Sequence, residues 1–363
     1  MFRRNRLLLL AVSAAALLAQ GPDVPLDPKS SFKVNLPGEG PLSLVSADWG
    51  QSRATARGGA LVVDLHSTLT LKNTSPRRVR GVSLLVLAQE VTPGGKASVT
   101  VPSLDVPPGE TFPIRVDLRL MRPLAQGAGA LVEVGLDGVL FEDLVFYGPN
   151  RLQAKRAMVA WEMEARRDRK AMLAALESGG RDALQKKLLA VLSRVTEQAG
   201  GVQMARSLPA TNVEAGRQLE FAFLQMPESP VELLSGSAQM DGTEARSPRI
   251  EVQNRSKRAV RYVELGWLAR DGQGREFAGG TLPAELSLPS GQRTTIRKEN
   301  TLRFSRAVAG LTAYPAAVEF ADGEMWVAPA MAALPASGEA QRLAEMYRRK
   351  GLDAVLMQLR SMR

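Results

Sequence analysis

Leu69-Thr-Leu-Lys-Asn-Thr-Ser75 recurs 181 residues further along the chain as Ile250-Glu-Val-Gln-Asn-Arg-Ser256. In both stretches apolar and polar residues alternate, and each stretch ends on an Asn-x-Ser triplet. An apolar period of two is typical of a strand with one buried face, and Asn at a strand end favours a turn. The recurrence of the same strand and turn in the sequence predicts a duplicated β domain.

The similarity continues on both sides of this pair, in the same order and with small changes of offset. Such a pattern is expected of a duplicated segment whose insertions fall in loops. The recurring positions include Phe32 and Phe221, Pro37 and Pro227, Val82 and Val263, Leu84 and Leu265, Gly109 and Gly291, and the dipeptides Asp137-Gly138 and Asp322-Gly323.

Turn signals rich in Pro, Gly, Asn and Asp separate the alternating runs in both copies. Short strands at this spacing, with no helical periodicity between them, predict a sandwich of about seven strands. Helix-favouring residues follow each copy, and the Gly179-Gly180 pair and Gly351 break these helices. We therefore predict a mostly β fold with α: two immunoglobulin-like antiparallel β-sandwiches, each followed by a helical hairpin.

The sequence predicts seven segments in this arrangement. They are a signal peptide at 1–19, a linker at 20–30, a first sandwich at 31–150, a first helical hairpin at 151–199, a linker at 200–219, a second sandwich at 220–336 and a second helical hairpin at 337–363.

The signal peptide is predicted from a basic start followed by an apolar run. Arg3, Arg4 and Arg6 precede 13 uncharged, mostly apolar residues at 7–19. Such a run is about 20 Å long as a helix, shorter than the ~30 Å hydrocarbon core of a bilayer. We expect an exported protein, periplasmic or extracellular, with no transmembrane segment after cleavage. The alternative is that the run is retained as a membrane anchor.

The second copy resembles a known class of domain. Its Asn254-x-Ser256 triplet, the alternating run from Val263 to Trp267 and the turn Asp271-Gly-Gln-Gly274 are similar to the pattern of bacterial extracytoplasmic immunoglobulin-like sandwiches of the FxLYD type. The first copy lacks the Asp-x-x-Gly turn. The resemblance implies a binding or spacer module outside the cytoplasm, and it implies no catalytic residue.

Composition excludes several kinds of chemistry. The chain has no Cys, which excludes disulfides, Cys-ligated metal and thiol catalysis, and it has one His. Asp64, His66 and Ser67 resemble the components of a hydrolytic triad, but they lie on one predicted strand with Ser67 on the opposite face. We therefore predict no catalytic, cofactor-binding or metal-binding residue, and no cofactor.

The excess of basic over acidic residues points to a binding partner. The formal net charge is +10, and residues 151–187 hold ten Lys and Arg against five Asp and Glu. We predict a partner-binding basic patch that meets a protein or an anionic envelope surface, and no nucleic acid. The alternative is solvated helix faces with internal ion pairs. The predicted patch comprises Arg77, Arg78, Arg80, Lys257, Arg258, Arg261, Arg166, Arg167, Arg169 and Lys170.

These observations predict an exported, non-catalytic interaction, adaptor or spacer module of the cell envelope. Two alternatives stay open at this point. One is a carboxylate-dependent hydrolase acting on glycans in a cleft between domains, which needs two acids about 5–9.5 Å apart. The other is a peripheral membrane protein that uses its basic helices. The Asn-x-Ser triplets also match the N-glycosylation pattern, although their repetition at equivalent strand ends favours a turn.

Overall fold

The structure is a computed structural model that describes residues 23–90, 93–124, 129–197, 202–205, 217–298, 301–331 and 334–362. The predicted signal peptide at 1–19 lies outside the described residues. The chain forms two compact units, with the boundary between Met158 and Val159. The fold is mostly β with helices, which confirms the predicted fold class.

The first unit is a two-sheet sandwich. In sheet A, β5 is flanked by β3 and β4 on one side and by β8 on the other, and β1 pairs with β4. In sheet B, β9 lies between β6 on one side and β2 and β10 on the other, and β7 pairs with β6. The strands are β1 (Asp23–Val24), β2 (Phe32–Asn35), β3 (Leu42–Asp48), β4 (Arg53–Arg57), β5 (Ala60–Asn73), β6 (Val79–Leu87), β7 (Lys96–Val101), β8 (Thr111–Pro123), β9 (Val132–Phe141) and β10 (Phe146–Tyr147).

The second unit contains a sandwich with the same connections. In sheet C, β15 lies between β14 on one side and β18 and β19 on the other, while β12 pairs with β14 and β11 with β19. In sheet D, β20 pairs with β13, β16 and β21, and β17 pairs with β16. The strands are β11 (Val202–Ala205), β12 (Arg217–Glu220), β13 (Ala222–Phe223), β14 (Val231–Asp241), β15 (Glu244–Asn254), β16 (Val260–Arg270), β17 (Glu276–Leu288), β18 (Arg293–Arg297), β19 (Thr301–Phe304), β20 (Gly310–Phe320) and β21 (Met325–Val327).

The two topologies support the duplication. In each copy a short early strand (β2 or β13) runs parallel to a long late strand (β9 or β20), which is antiparallel to β6 or β16. Apolar side chains from both sheets fill each core. Leu69 and Val82 are fully buried in the first, and Ile250 and Val263 are equivalent in the second.

Three helices complete the described chain: α1 (Ala154–Glu197), α2 (Gly338–Lys350) and α3 (Leu352–Ser361). Gly180 interrupts α1 with non-helical backbone angles (φ 66°, ψ −157°), and Gly351 separates α2 from α3 at φ 80°. Both predicted helix breaks are therefore present. Within the described residues, no helix is both long and apolar enough to span a bilayer.

The helices pack differently from the expected pattern of one hairpin beside each sandwich. Met172, Leu184 and Leu188 of α1 form one apolar cluster with Leu343 of α2 and Leu359 of α3, all of them in the second unit. An apolar stripe indicates that a helix face is buried, but it does not indicate which surface buries it. Within the predicted stripe Trp161 is 41% exposed, whereas its neighbour Glu162 is 1% exposed.

Three further details correct the sequence interpretation. The predicted linkers contain short strands: β1 lies within 20–30, β11 lies within 200–219, and β12 begins there at Arg217. Asp137-Gly138 is not a turn, because it lies within β9. The turn that corresponds to Asp322-Gly323 follows Phe141 instead, since Val79 pairs with Phe141 as Val260 pairs with Phe320.

Candidate interaction surfaces

The repeated Asn-x-Ser triplet forms a corner where one sheet passes to the other. Asn73 ends β5 and is fully buried. Its Nδ2 donates to the carbonyls of Arg77 (2.8 Å) and Val106 (3.0 Å), and its Oδ1 accepts from the Ser75 amide (3.0 Å) and hydroxyl (2.7 Å). The Asn73 side chain thus ties the end of β5 to the backbone of the following turn and to Val106 inside the sandwich.

The second copy reproduces this corner. Asn254 is fully buried, and its Nδ2 donates to the carbonyls of Arg258 (2.7 Å) and Leu288 (3.0 Å). Its Oδ1 accepts from the Ser256 amide (2.9 Å) and hydroxyl (2.7 Å). The predicted turn role is confirmed. A glycan on Nδ2 is incompatible with this corner, because the nitrogen is buried and donates two hydrogen bonds.

The arginine that closes each corner is held by an aromatic ring and by carboxylates. The Arg77 guanidinium lies 4.1 Å from the centroid of Phe141, and that of Arg258 lies 4.0 Å from Phe320. Arg77 pairs with Asp143 at 3.1 Å, and Arg258 pairs with Asp322 and Glu324. The hydrogen bond from Arg258 lowers the pKa of Asp322.

The other predicted basic residues of the corners are divided between paired and exposed positions. Arg78 and Arg80 both donate to Asp105, at 2.7 and 2.8 Å, and Arg80 is buried. Arg261 pairs with Glu319. Lys257 is exposed. Most of this predicted patch is therefore already neutralised by local carboxylates.

The basic residues of α1 form an internal network of the second unit. Arg169, which is 5% exposed, donates to Glu162 at 2.8 Å and lies 3.5 Å from Glu339 on α2. Arg166 also donates to Glu162, at 3.0 Å. The network ties α1 to α2 and engages both guanidinium groups in ion pairs.

The same network continues at the next residues of α1. Arg167 donates to the Ala328 carbonyl and pairs with Asp168, which accepts from the Ser337 hydroxyl. Ser337 in turn caps α2, accepting from the Ala340 amide at 3.2 Å. Lys170 is exposed at the surface of α1.

A pair of carboxyl groups lies between α1 and sheet D. Burial raises the pKa of Glu164 to about 7; Arg167 lowers it, and Asp168 and Glu264 add to the rise. Burial also raises the pKa of Tyr314, with smaller contributions from the two glutamates. Tyr262 donates to Glu264 at 3.4 Å. Glu164 and Glu264 are both half-buried.

The Asp64, His66 and Ser67 side chains do not assemble into a triad. His66 Nδ1 lies 3.1 Å from Asp117 Oδ1 on β8, and Asp64 accepts from Arg119 at 2.6 Å. Ser67 is buried on the opposite face. The hydrogen bond from Arg119 lowers the pKa of Asp64. Among the described residues, no three His, Asp or Glu side chains form a group that could hold a metal ion.

One charged surface was missed by the sequence interpretation. On the outer face of sheet C, Arg249 of β15 lies directly opposite Arg297 of β18. Both are exposed, and neither side chain forms an ion pair or hydrogen bond with a described residue. In sheet A the equivalent pair is Thr68 and Arg115. The unmatched Arg249 could have been noticed by comparing the copies, but its partner depends on the strand register.

A polar groove of about 420 Å³ adjoins this arginine pair. Gly236 forms part of its floor, between two irregularities in the pairing of β14 with β15. A Cβ at Gly236 would lie 2.7 Å from Phe221 and 3.0 Å from the Arg249 carbonyl, so the backbone packs closely there. The polar side chains lining the groove are Gln218, Glu220, Ser235, Ser237, Arg249, Glu251 and Thr295.

No known protein family and no characterised protein matches the chain in sequence. Among solved structures, a β-glucosidase from Kluyveromyces marxianus in complex with glucose aligns at 10% identity over 75% of this chain and 45% of that chain, with a TM-score of 0.17. The chain therefore spans less than half the length of that enzyme. An allantoicase aligns at 8% identity over 75% of this chain and 83% of its own, with a TM-score of 0.08. Similarity this low carries no argument about fold or function.

Proposed function

We propose that the protein is an exported, non-catalytic tandem sandwich that acts as an interaction, adaptor or spacer module of the cell envelope. The main support is the set of structural features that the two copies share. The features that recur are the Asn73 and Asn254 corners, each closed by an arginine on a phenylalanine ring. These recurring contacts build a scaffold, whereas the charged outer faces of sheets A and C differ between the copies, as expected of surfaces with separate partners.

Two observations support the role from the surface. Polar and charged side chains occupy the outer face of sheet A, where Asp64 joins Arg53 and Arg119. The outer face of sheet C carries a groove and the unpaired arginines Arg249 and Arg297. Accessible polar faces on a folded sandwich are suited to binding a partner without catalysing a reaction.

The proposal is tested in cells with the full chain carrying a C-terminal tag. A photo-crosslinking amino acid is introduced at exposed positions on each outer face, for example Thr295 in sheet C and Arg115 in sheet A. We expect the protein in the envelope or the medium, with crosslinks to a defined component from at least one face. Retention in the cytosol would contradict the export, and no crosslinks from either face would contradict the interaction role.

A further inference from the structure

The outer face of sheet C holds an unfavourable charge arrangement. Arg249 and Arg297 are directly opposite one another on neighbouring strands, where Cβ atoms are about 5 Å apart. Like charges in this position destabilise a sheet. No described carboxylate forms an ion pair with either guanidinium, whereas Arg115 in sheet A lies opposite neutral Thr68 and 3.5 Å from Asp117. An anion placed between the two guanidinium groups would remove the repulsion and gain charge-assisted hydrogen bonds.

The neighbouring side chains identify what kind of anion fits. One cross-strand row places Glu220, Ser237 and Arg249 side by side. The next row places Ser235, Glu251 and Thr295 side by side, and the Ser235 hydroxyl donates to Glu251 at 3.2 Å. The groove therefore presents carboxylates and hydroxyls beside the arginines.

This mixture disfavours a densely charged polyanion. Glu220 and Glu251 would repel closely spaced phosphates or the side chains of an acidic peptide. The same carboxylates accept hydrogen bonds from hydroxyl groups. A ligand that carries many hydroxyls and widely spaced carboxylates satisfies both parts of the groove.

We propose that the outer face of sheet C binds an acidic glycan, with one uronic-acid carboxylate held between Arg249 and Arg297 and the sugar hydroxyls bonded to Glu220, Glu251 and the serines. The inference deepens the proposed binding role and rests on it. Gly236 lets β14 pack closely on the core residues Phe221 and Ile250 beside the groove, because a Cβ there would lie 2.7 Å from Phe221 and 3.2 Å from Ile250.

The test uses the full chain and a short oligomer of galacturonic acid as the probe, with its methyl-esterified form as the uncharged counterpart. Isothermal titration is expected to show binding of the acidic oligomer and at least about tenfold weaker binding of the ester. Arg249→Thr, which installs the residue of the first copy, is expected to weaken binding by a similar factor. Arg115→Thr is the matched control: it makes the same charge change at the position equivalent to Arg297, and it should bind as the parent protein does.

Thermal unfolding adds a second and independent readout. Without ligand, Arg249→Thr should melt at a higher temperature than the parent protein, because the like-charge pair is gone. With the acidic oligomer the parent should gain stability and the variant should not. A variant that binds less well and is also less stable without ligand would indicate misfolding of sheet C and would contradict the proposal.

Several results would overturn the glycan assignment. They are no binding of the acidic oligomer, equal loss in Arg249→Thr and Arg115→Thr, or tighter binding of poly-glutamate or of vesicles rich in anionic lipid. None of these results bears on the crosslinks to an envelope component that we expect of the full chain. If those crosslinks persist, the interaction role stands without the glycan, and if they fail as well, both proposals fail.

Discussion

Asn73 and Asn254 are the same structural element in two places: each is fully buried, and each bridges two backbone carbonyls across its sandwich. The two amides are held by the same set of bonds although only Asn and Ser are shared between the triplets. The shared bonds of the corner therefore depend on side-chain chemistry at two positions, and the residue between them differs between the copies.

Replacing either asparagine should destabilise its sandwich. Asn73→Ala or Asn254→Ala removes two hydrogen bonds to backbone carbonyls and leaves the Ser amide without its acceptor, and we expect a loss on the order of 2 kcal/mol or more from the free energy of unfolding. Urea unfolding measures it. Asn35→Ala is the control, because the Asn35 side chain is exposed and, among the described residues, bonds only to Glu133, at 2.9 Å; the change should alter stability by less than about 0.5 kcal/mol. Equal losses in all three variants would contradict the corner's role.

Arg169 and Arg166 both donate to Glu162, but only Arg169 is buried. Arg169→Met removes the guanidinium that lies between the buried Glu162 and Glu339. Because Arg166 still pairs with Glu162 and Arg342 with Glu339, we expect a cost of about 1–3 kcal/mol. Arg166→Met removes a guanidinium whose side chain is 40% exposed and should cost less than about 1 kcal/mol. The melting temperatures of the two variants measure this difference. If Arg166→Met lowered the melting temperature more than Arg169→Met does, the buried network would not be what joins α1 to α2.

Glu164 makes the stability of the second unit depend on pH. Its pKa of about 7 in the folded protein exceeds the ordinary value of 4.5, so between these values the folded state keeps a proton that the unfolded state has lost. The free energy of unfolding therefore falls as pH rises from about 4.5 to about 7, and the loss is complete above that range.

Glu164→Gln removes this dependence. The variant should match the parent near pH 4 and melt at a higher temperature near pH 8, because the buried charge is gone. Melting temperatures across this range give the measurement. Glu228→Gln is the control at an exposed carboxyl and should follow the parent curve. A Glu164→Gln curve that runs parallel to the parent curve would show that Glu164 ionises normally.

Gly266 is required by an aromatic ring on the outer face of sheet D. A Cβ at Gly266 would lie 2.2 Å from Cζ of Tyr314. Gly266→Ala must displace the buried Tyr314 ring, and we expect a loss of about 1–3 kcal/mol, as for other overpacked sites. Gly272→Ala has no atom within 4 Å of the new carbon and should be nearly neutral. Urea unfolding distinguishes the two, and equal effects would mean that the loss is a general cost of replacing glycine.

Local patterns predicted the repeated parts of the fold. Strand alternation located Leu69 and Ile250 in their cores, and Gly351 ends a helix where the sequence placed the break. Each of these features depends on neighbours within a few residues along the chain. The Asn-x-Ser corner was also predictable, because an Asn side chain shapes its own turn before it reaches the other sheet.

Features that depend on distant partners were not predicted. Asp137-Gly138 looked like a turn, but Asp137 is buried in β9, and its Oδ1 accepts the Arg151 amide at 2.7 Å just before α1. The Arg249–Arg297 pair required the register of β15 against β18. The predicted basic patch stays a prediction for the exposed Lys257 and Lys170, since most of its arginines found carboxylates that lie far away in sequence.

The apolar cluster that joins α1 to α2 and α3 has a consequence for biosynthesis. Leu184 and Leu188 are buried in a cluster that includes residues made about 155 to 175 positions later, such as Leu343 and Leu359. A nascent chain must therefore carry these leucines uncovered until the ribosome has passed α3, and chaperones can engage them during that interval. A premature stop codon before Gly338 would consequently produce an aggregation-prone polypeptide rather than a smaller stable protein.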